Sequence, residues 1–149
     1  MSANSTNPSS TPEGAPAFPC VCAAIRRAGR TITRRYDAIL KPVGLKITQF
    51  SMLANIGRNP GISVSRLAEL LLMDQTTVTR NLGVLEKTGY VQLLQTDADR
   101  RSKRVEITEA GRDKMAQARP YWQQAQREIE GELGGERIAA LLEIFARLA

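Results

Sequence analysis

Two clusters in this 149-residue chain have the side chains needed to hold a polyanion. In the first, Asp97, Asp99, Arg100, Arg101, Lys103 and Arg104 crowd into eight consecutive positions. Cations at a hairpin tip enter a narrow minor groove, where negative potential is focused. A carboxylate beside such an arginine orients it through a paired guanidinium–carboxylate contact. The second cluster is Gln75, Thr76, Thr77, Thr79 and Arg80. Its amide, hydroxyl and guanidinium groups suit base edges and phosphates. Ser63 and Ser65 add hydroxyls a little upstream. A mixed-charge turn and a solvated polar face would have the same composition, so the elements that carry these residues must decide.

Those elements read as two short amphipathic helices followed by two strand-like runs. Ser63 is an N-cap for a helix built on Val64, Leu67, Ala68 and Leu71. Asp74 caps the next, over 75–88, where Val78, Leu82 and Leu85 at i, i+4 and i+7 face inward. That leaves Gln75, Thr76, Thr79 and Arg80 on the opposite face. Gly89 stops the helix. Tyr90–Leu94 and Lys103–Ile107 alternate as strands, Val91 and Leu93 answered by Val105 and Ile107, with a polar loop over 96–102 between them. A helix, a second helix and a basic hairpin in that order form a winged helix-turn-helix, which docks one helix in the major groove of double-stranded DNA.

The flanks are helical. Residues 21–40 carry Ile25, Ala28, Ile32, Tyr36 and Ile39 on one face and five arginines over the remainder, ending at Pro42 and Gly44. Thr48 is expected to cap a helix over 49–57. Thr108 caps a long helix to 133, which Pro120 should kink or interrupt, and Gly134-Gly135 ends it. A last helix, 136–148, is expected to bury Ile138, Leu141, Leu142, Phe145 and Leu148. The fold class is therefore mainly α with a small β-wing. Residues 1–17, rich in Ser, Thr, Asn and Pro, are expected to be a disordered tail. Residues 18–47 and 108–149 are expected to form a helical dimerisation region, and 48–107 the winged helix-turn-helix. Long terminal apolar stripes would be a liability in a monomer, and pairing them in a homodimer gives a two-fold reader of a palindromic operator.

Composition narrows the function classes. The net charge is +6, and ten cations against six anions over 41–107 contrast with six against seven over 108–149. The positive excess lies outside the C-terminal third, which suits a nucleic-acid partner. With no histidine, no paired carboxylates and no phosphate loop, an enzyme is not expected. Two cysteines alone cannot complete a zinc site, so no metal or other cofactor is expected. No apolar run is long enough to span a membrane, and the N-terminus lacks a signal peptide's pattern, so a cytoplasmic protein is expected.

The wing pattern Asp99-x-Arg101-x-x-x-Val105-x-Ile107-Thr108-x-x-Gly111 resembles that of the MarR family of bacterial transcription regulators. Leu67-Ala68, Thr77-Val78-Thr79-Arg80 and Leu85-Glu86-x-x-Gly89-Tyr90-Val91 carry the same resemblance, in order and spacing. It implies an obligate homodimer with intertwined terminal helices, usually a repressor, often released from DNA by a small anionic or aromatic compound. It also implies that Arg101 enters the minor groove and that Asp99 braces the wing. Leu72 departs from the pattern, which often has Gly at this turn. Leucine tolerates a left-handed backbone poorly, so another turn shape is expected.

Three further groups bear on regulation. Cys20 and Cys22 sit at the start of the first helix, where helix amides and nearby arginines favour a thiolate. Cys22, followed at a set distance by Arg30-Thr31-Ile32-Thr33-Arg34-Arg35-Tyr36, resembles the hydroperoxide-sensing branch of the family. That branch has a second tyrosine where this chain has Arg26. Thiol-based peroxide sensing at Cys22, with Cys20 and Tyr36, therefore stands beside inert packing of both cysteines. Phe50, Tyr121 and Trp122, with Arg26 and Arg30, would suit a small-molecule effector site, or the three aromatics are core. A winged-helix protein-interaction module without DNA binding is the remaining alternative class.

Overall fold

The computed structural model describes residues 20–96 and 99–148; the side chains of Thr96 and of residues 99–102 lie outside that description, as does the expected tail over 1–17. The chain divides into two units, one ending at Ile32 and one running from Thr33. In chain order the elements are α1 (Val21–Leu40), a short 3-10 turn (Lys41–Val43), α2 (Ile47–Arg58), β1 (Ile62–Ser63), α3 (Val64–Leu71), α4 (Gln75–Lys87), β2 (Val91–Thr96), β3 (Asp99–Ile107), α5 (Glu109–Leu133) and α6 (Gly135–Leu148).

The caps expected at Ser63, Asp74 and Thr108 are all made, each accepting the amide three residues on: Arg66, Thr77 and Gly111 respectively. The cap of α2 differs from expectation. Lys46 rather than Thr48 holds the N-cap position, and its amide donates to Gln49 Oε1 at 3.0 Å. The Ile47 amide donates to Asp37 Oδ1 at 2.8 Å, so a carboxylate from α1 does what a threonine hydroxyl was expected to do.

The sheet is antiparallel in the order β1–β3–β2. Val91 pairs with Ile107 and Leu93 with Val105, as the alternation predicts. The strands run further than expected: β3 starts at Asp99, inside the expected loop, and the register shifts between Gln95 and Thr96. Such an irregularity twists the tip of a ribbon. β1 adds a third strand through the pairs Ile62–Val105 and Ser63–Arg104.

One buried cluster holds the second unit together. Leu53 and Ile56 of α2, Leu67 of α3, Val78, Leu82 and Leu85 of α4, Val105 of β3 and Ala118 of α5 are fully or almost fully covered. No buried polar or charged residue is found among the described residues. A smaller cluster joins Tyr36 of α1 to Ala125 and Ile129 of α5. Beside it the Tyr36 hydroxyl donates to Gln126 Oε1, and Arg35 pairs with Glu132 at 2.6 Å.

At three points the single chain differs from the expectation. α5 runs without a break through Pro120. Proline removes one hydrogen bond, and Pro120 lies on the solvent side, where water can take the freed carbonyl, while Ala118 and Ala125 stay buried on the other. In α6, Leu141, Leu142, Phe145 and Leu148 are exposed and only Ile138 is half-buried, because no other element of the described chain covers that face. Leu72 does adopt the left-handed turn, at φ 50° and ψ 42°, although glycine is absent.

The junction between wing and α5 is the tightest approach. Thr108 bonds the backbone on both sides of it: its amide donates to the Tyr90 carbonyl at 3.1 Å and its hydroxyl to the Gly89 carbonyl at 2.6 Å. A Cβ on Gly111 would lie 2.1 Å from the Tyr90 carbonyl oxygen and 2.8 Å from Ile107 Cγ1. Gly111→Ala must therefore push α5 off the wing and should cost about 1–3 kcal/mol in urea unfolding. Gly83→Ala, where a Cβ meets nothing within 4 Å, should stabilise by about 0.4–1 kcal/mol.

Candidate nucleic-acid interface

The face of α4 opposite its buried residues is set by helical geometry. With Val78, Leu82 and Leu85 inward, Gln75, Thr76, Thr79 and Arg80 are exposed. These four side chains line a single open notch of about 460 Å³ at the N-terminal end of the helix. It offers one guanidinium, two hydroxyls and one amide in a small space, the donor and acceptor set that recognises base edges and phosphate.

Asp74 fixes the start of that helix. Its carboxylate accepts the Thr77 amide at 2.8 Å and the Thr77 hydroxyl at 2.5 Å. Thr77, one of the DNA-contact candidates in the sequence, is half-buried and serves the cap. Asn81 then donates to the Thr77 carbonyl at 2.9 Å, so the same turn is held from below. Ser63 is half-buried and caps α3, its Oγ 3.2 Å from that of the exposed Ser65.

On the wing, Lys103 is exposed and pairs in register with Gln95. The backbone of Asp99, Arg100 and Arg101 lies in β3, and their side chains lie outside the described part of the structure. Arg104 has a role that sequence reading did not assign. Its guanidinium donates to the Gly61 carbonyl at 2.9 Å, tying β3 to the turn before β1 and hence to Ser63 and α3. No local signal could have shown this, because the partners meet only when β1 and β3 pair.

The effector candidates separate. Phe50 is buried and stacks on Trp122 with ring centroids 5.8 Å apart and planes at 16°, and Tyr121 is half-buried against the same core. Arg26 and Arg30 are exposed on α1. Another cleft, of about 550 Å³, lies between α2 and α5 and is lined in part by Leu53, Gly57, Arg58, Ile107, Arg112 and Arg119. Sequence reading missed it because neither helix shows it alone. Among the redox candidates, Cys20 and Cys22 are exposed free thiols. Tyr36 is buried enough to push its phenol pKa up. Among the described residues no group of three metal-ligating side chains occurs, and no helix is long and apolar enough to cross a membrane.

A family model described as the MarR family matches residues 43–102. The transcriptional regulator MosR of M. tuberculosis, crystallised in complex with DNA, superposes with a TM-score of 0.77 at 35% identity, covering 87% of this chain and 96% of its own. This chain belongs to the MarR family of winged helix-turn-helix transcriptional regulators. The repressor CouR, in a structure bound to a 23-mer DNA duplex, is similar to it at 26% identity with a TM-score of 0.77, over 87% of this chain and 92% of CouR. The regulator SarZ of Staphylococcus epidermidis is 29% identical over 93 residues, 62% of this chain. The matched region spans 63% of SarZ, less than two thirds of its length. The MarR-family resemblance drawn from the wing and helix motifs is thus met by the fold, including the turn at Leu72 where the motif departs.

The Asp74 cap gives α4 a pH signature. The Thr77 hydroxyl and then its amide hold the Asp74 carboxyl below the usual carboxylate range. A depressed folded-state pKa means that the stabilisation is complete above the unfolded value of about 3.9 and is lost as pH falls through the folded one. Asp74→Asn, which keeps an acceptor without the charge, should be less stable than wild type at neutral pH. The gap should close as the pH falls below about 4, a convergence that thermal melts across that range would reveal.

Proposed function

We propose that this chain is a homodimeric, DNA-binding transcriptional regulator that reads a palindromic operator. The observation that carries the reading is the notch on α4, where Gln75, Thr76, Thr79 and Arg80 are exposed together on a helix that Asp74 anchors. Arg80 has the fork geometry for guanine or phosphate, and the threonines suit either base edges or the backbone. The wing adds Lys103 and, by family resemblance, Arg100 and Arg101 to the minor-groove side, with Asp99 as brace. MosR and CouR, to which this chain is similar, have each been crystallised with DNA, which supports DNA binding.

Homodimer formation is supported by α6, whose apolar residues have no cover among the described residues; Leu142 is 64% exposed and Leu148 74%. A face of that kind is stable in water only when something covers it, and a second copy provides a two-fold match to a palindrome. Repression, and release by a small anionic or aromatic compound, follow from the family resemblance.

The experiment is fluorescence anisotropy with a duplex selected from a random-sequence pool. Arg80→Ala should lower discrimination between the selected and a scrambled duplex by about 10- to 100-fold, the worth of one good base contact. Arg101→Ala should weaken binding to both duplexes and reduce the salt slope by about one per subunit. Leu142→Glu should shift the wild-type dimer toward monomer in sedimentation and abolish tight operator binding, because it puts a charge in an apolar seam. Unchanged DNA affinity and specificity in both arginine variants would overturn the docking, and a monomeric wild type that binds the palindrome tightly would overturn the dimer.

A further inference from the structure

Gly83 lies inside α4, on the same side of the helix as the notch. Thr76 stands seven residues before it, Thr79 four and Arg80 three, and Lys87 follows four residues after, so helical spacing brings them to one face. All four side chains are exposed. Neither Arg80 nor Lys87 joins the ion pairs found among the described residues.

Nothing within the described chain requires glycine at this position. Its φ is not positive, and a Cβ there would meet nothing within 4 Å. Gly111 is the contrast, because the Tyr90 carbonyl would lie 2.1 Å from its Cβ. Glycine is the poorest helix former short of proline, yet α4 carries it where alanine fits. What the missing side chain provides is a bare patch of backbone on the outer face, suited to close approach by something outside the chain.

The charges around the patch name its chemistry. Arg80 stands on the notch side of it and Lys87 beyond it, toward the end of the helix. The exposed Glu86 falls toward the opposite edge of the face from Arg80. A bare surface leading from hydroxyl, amide and guanidinium groups to an ammonium fits a duplex met obliquely. The mixed donors and acceptors suit base edges, and the lysine point charge suits a phosphate.

We propose that one strand of the DNA sugar–phosphate backbone crosses α4 at Gly83, with Lys87 on its phosphate, and that Gly83 sets how closely the Gln75–Arg80 end approaches the bases. Gly83 is a positioning residue: it makes no side-chain contact of its own, and any side chain there holds the strand off and lengthens every contact of the notch together. This rests on the docking of α4 proposed above. It adds that the two ends of the helix face different parts of the duplex, bases at the start and backbone at the finish.

The test uses the full-length protein and the selected duplex, with anisotropy and thermal melts on the same preparations. Gly83→Ala should melt higher than wild type and yet bind the duplex about tenfold more weakly, since a methyl group is forced into a packed contact. Gly83→Leu should lose more. A glycine with a purely structural part would give affinity that is unchanged or rises with stability. Lys87→Ala should weaken the selected and scrambled duplexes alike and reduce the salt slope by about one per subunit. Replacing phosphates one at a time by uncharged methylphosphonates should reveal a position in each half-site that weakens binding by wild type and is silent in Lys87→Ala. Gly83→Ala that binds as tightly as wild type, or the absence of any such phosphate, would overturn the inference. If Arg80→Ala still lost discrimination in that case, the docking of α4 would stand without it. A wild type for which no duplex can be selected would overturn the docking itself.

Discussion

The contact of the first turn of α5 with the Tyr90 carbonyl is the constraint on which the rest of this molecule depends. That one oxygen receives the Thr108 amide, and Gly111 passes so close that only hydrogen fits. The Thr108 side chain caps α5 and at the same time holds Gly89. The end of α4, the start of β2, the end of β3 and the start of α5 are thereby joined within a few residues. The first turn of α5, both strands of the wing and the end of α4 are thus tied at one point.

The polar face of α4 depends on this joint and on the apolar residues beneath it. Val78, Leu82 and Leu85 fix the rotation of the helix about its axis, and Asp74 fixes where it starts. Arg104 adds a second tie, from β3 across to Gly61, so α3 is located by the same sheet that carries the wing. The exposed polar side chains of α4 stand on a backbone held from beneath by buried aliphatic contacts. Preorganisation of this kind reduces the ordering cost of binding.

What was legible in the sequence was local or periodic. Ser63, Asp74 and Thr108 announce their helices because a cap is completed within three residues. Val78, Leu82 and Leu85 announce a buried face because helical spacing alone puts them there. Features made by distant partners were not legible. The Lys46 cap depends in part on Asp37 reaching the Ile47 amide from α1, and the short strand β1 exists because β3 lies beside it. The α2–α5 cleft needs two helices at once. For α6 the pattern correctly marked an apolar face but could not say what covers it, and nothing in the described chain does. At the site, the α4 face was readable from periodicity, whereas the positions of Thr77 within the cap and of Arg104 against Gly61 were not.

Leu72 shows how a departure from a family pattern can be nearly neutral. Its left-handed backbone costs about 1–2 kcal/mol relative to a right-handed one, and its side chain, 83% exposed, makes little contact to offset that. Glycine would relieve the strain, but it would also give the unfolded chain more conformations to lose, a penalty of about 0.4–1 kcal/mol. The two effects oppose each other and leave a small difference. The angle between α3 and α4 is held instead by Leu67 and Ala68 packing in the same cluster as Val78 and Leu82. The turn is thus a place where the sequence can drift while α4 keeps its pose.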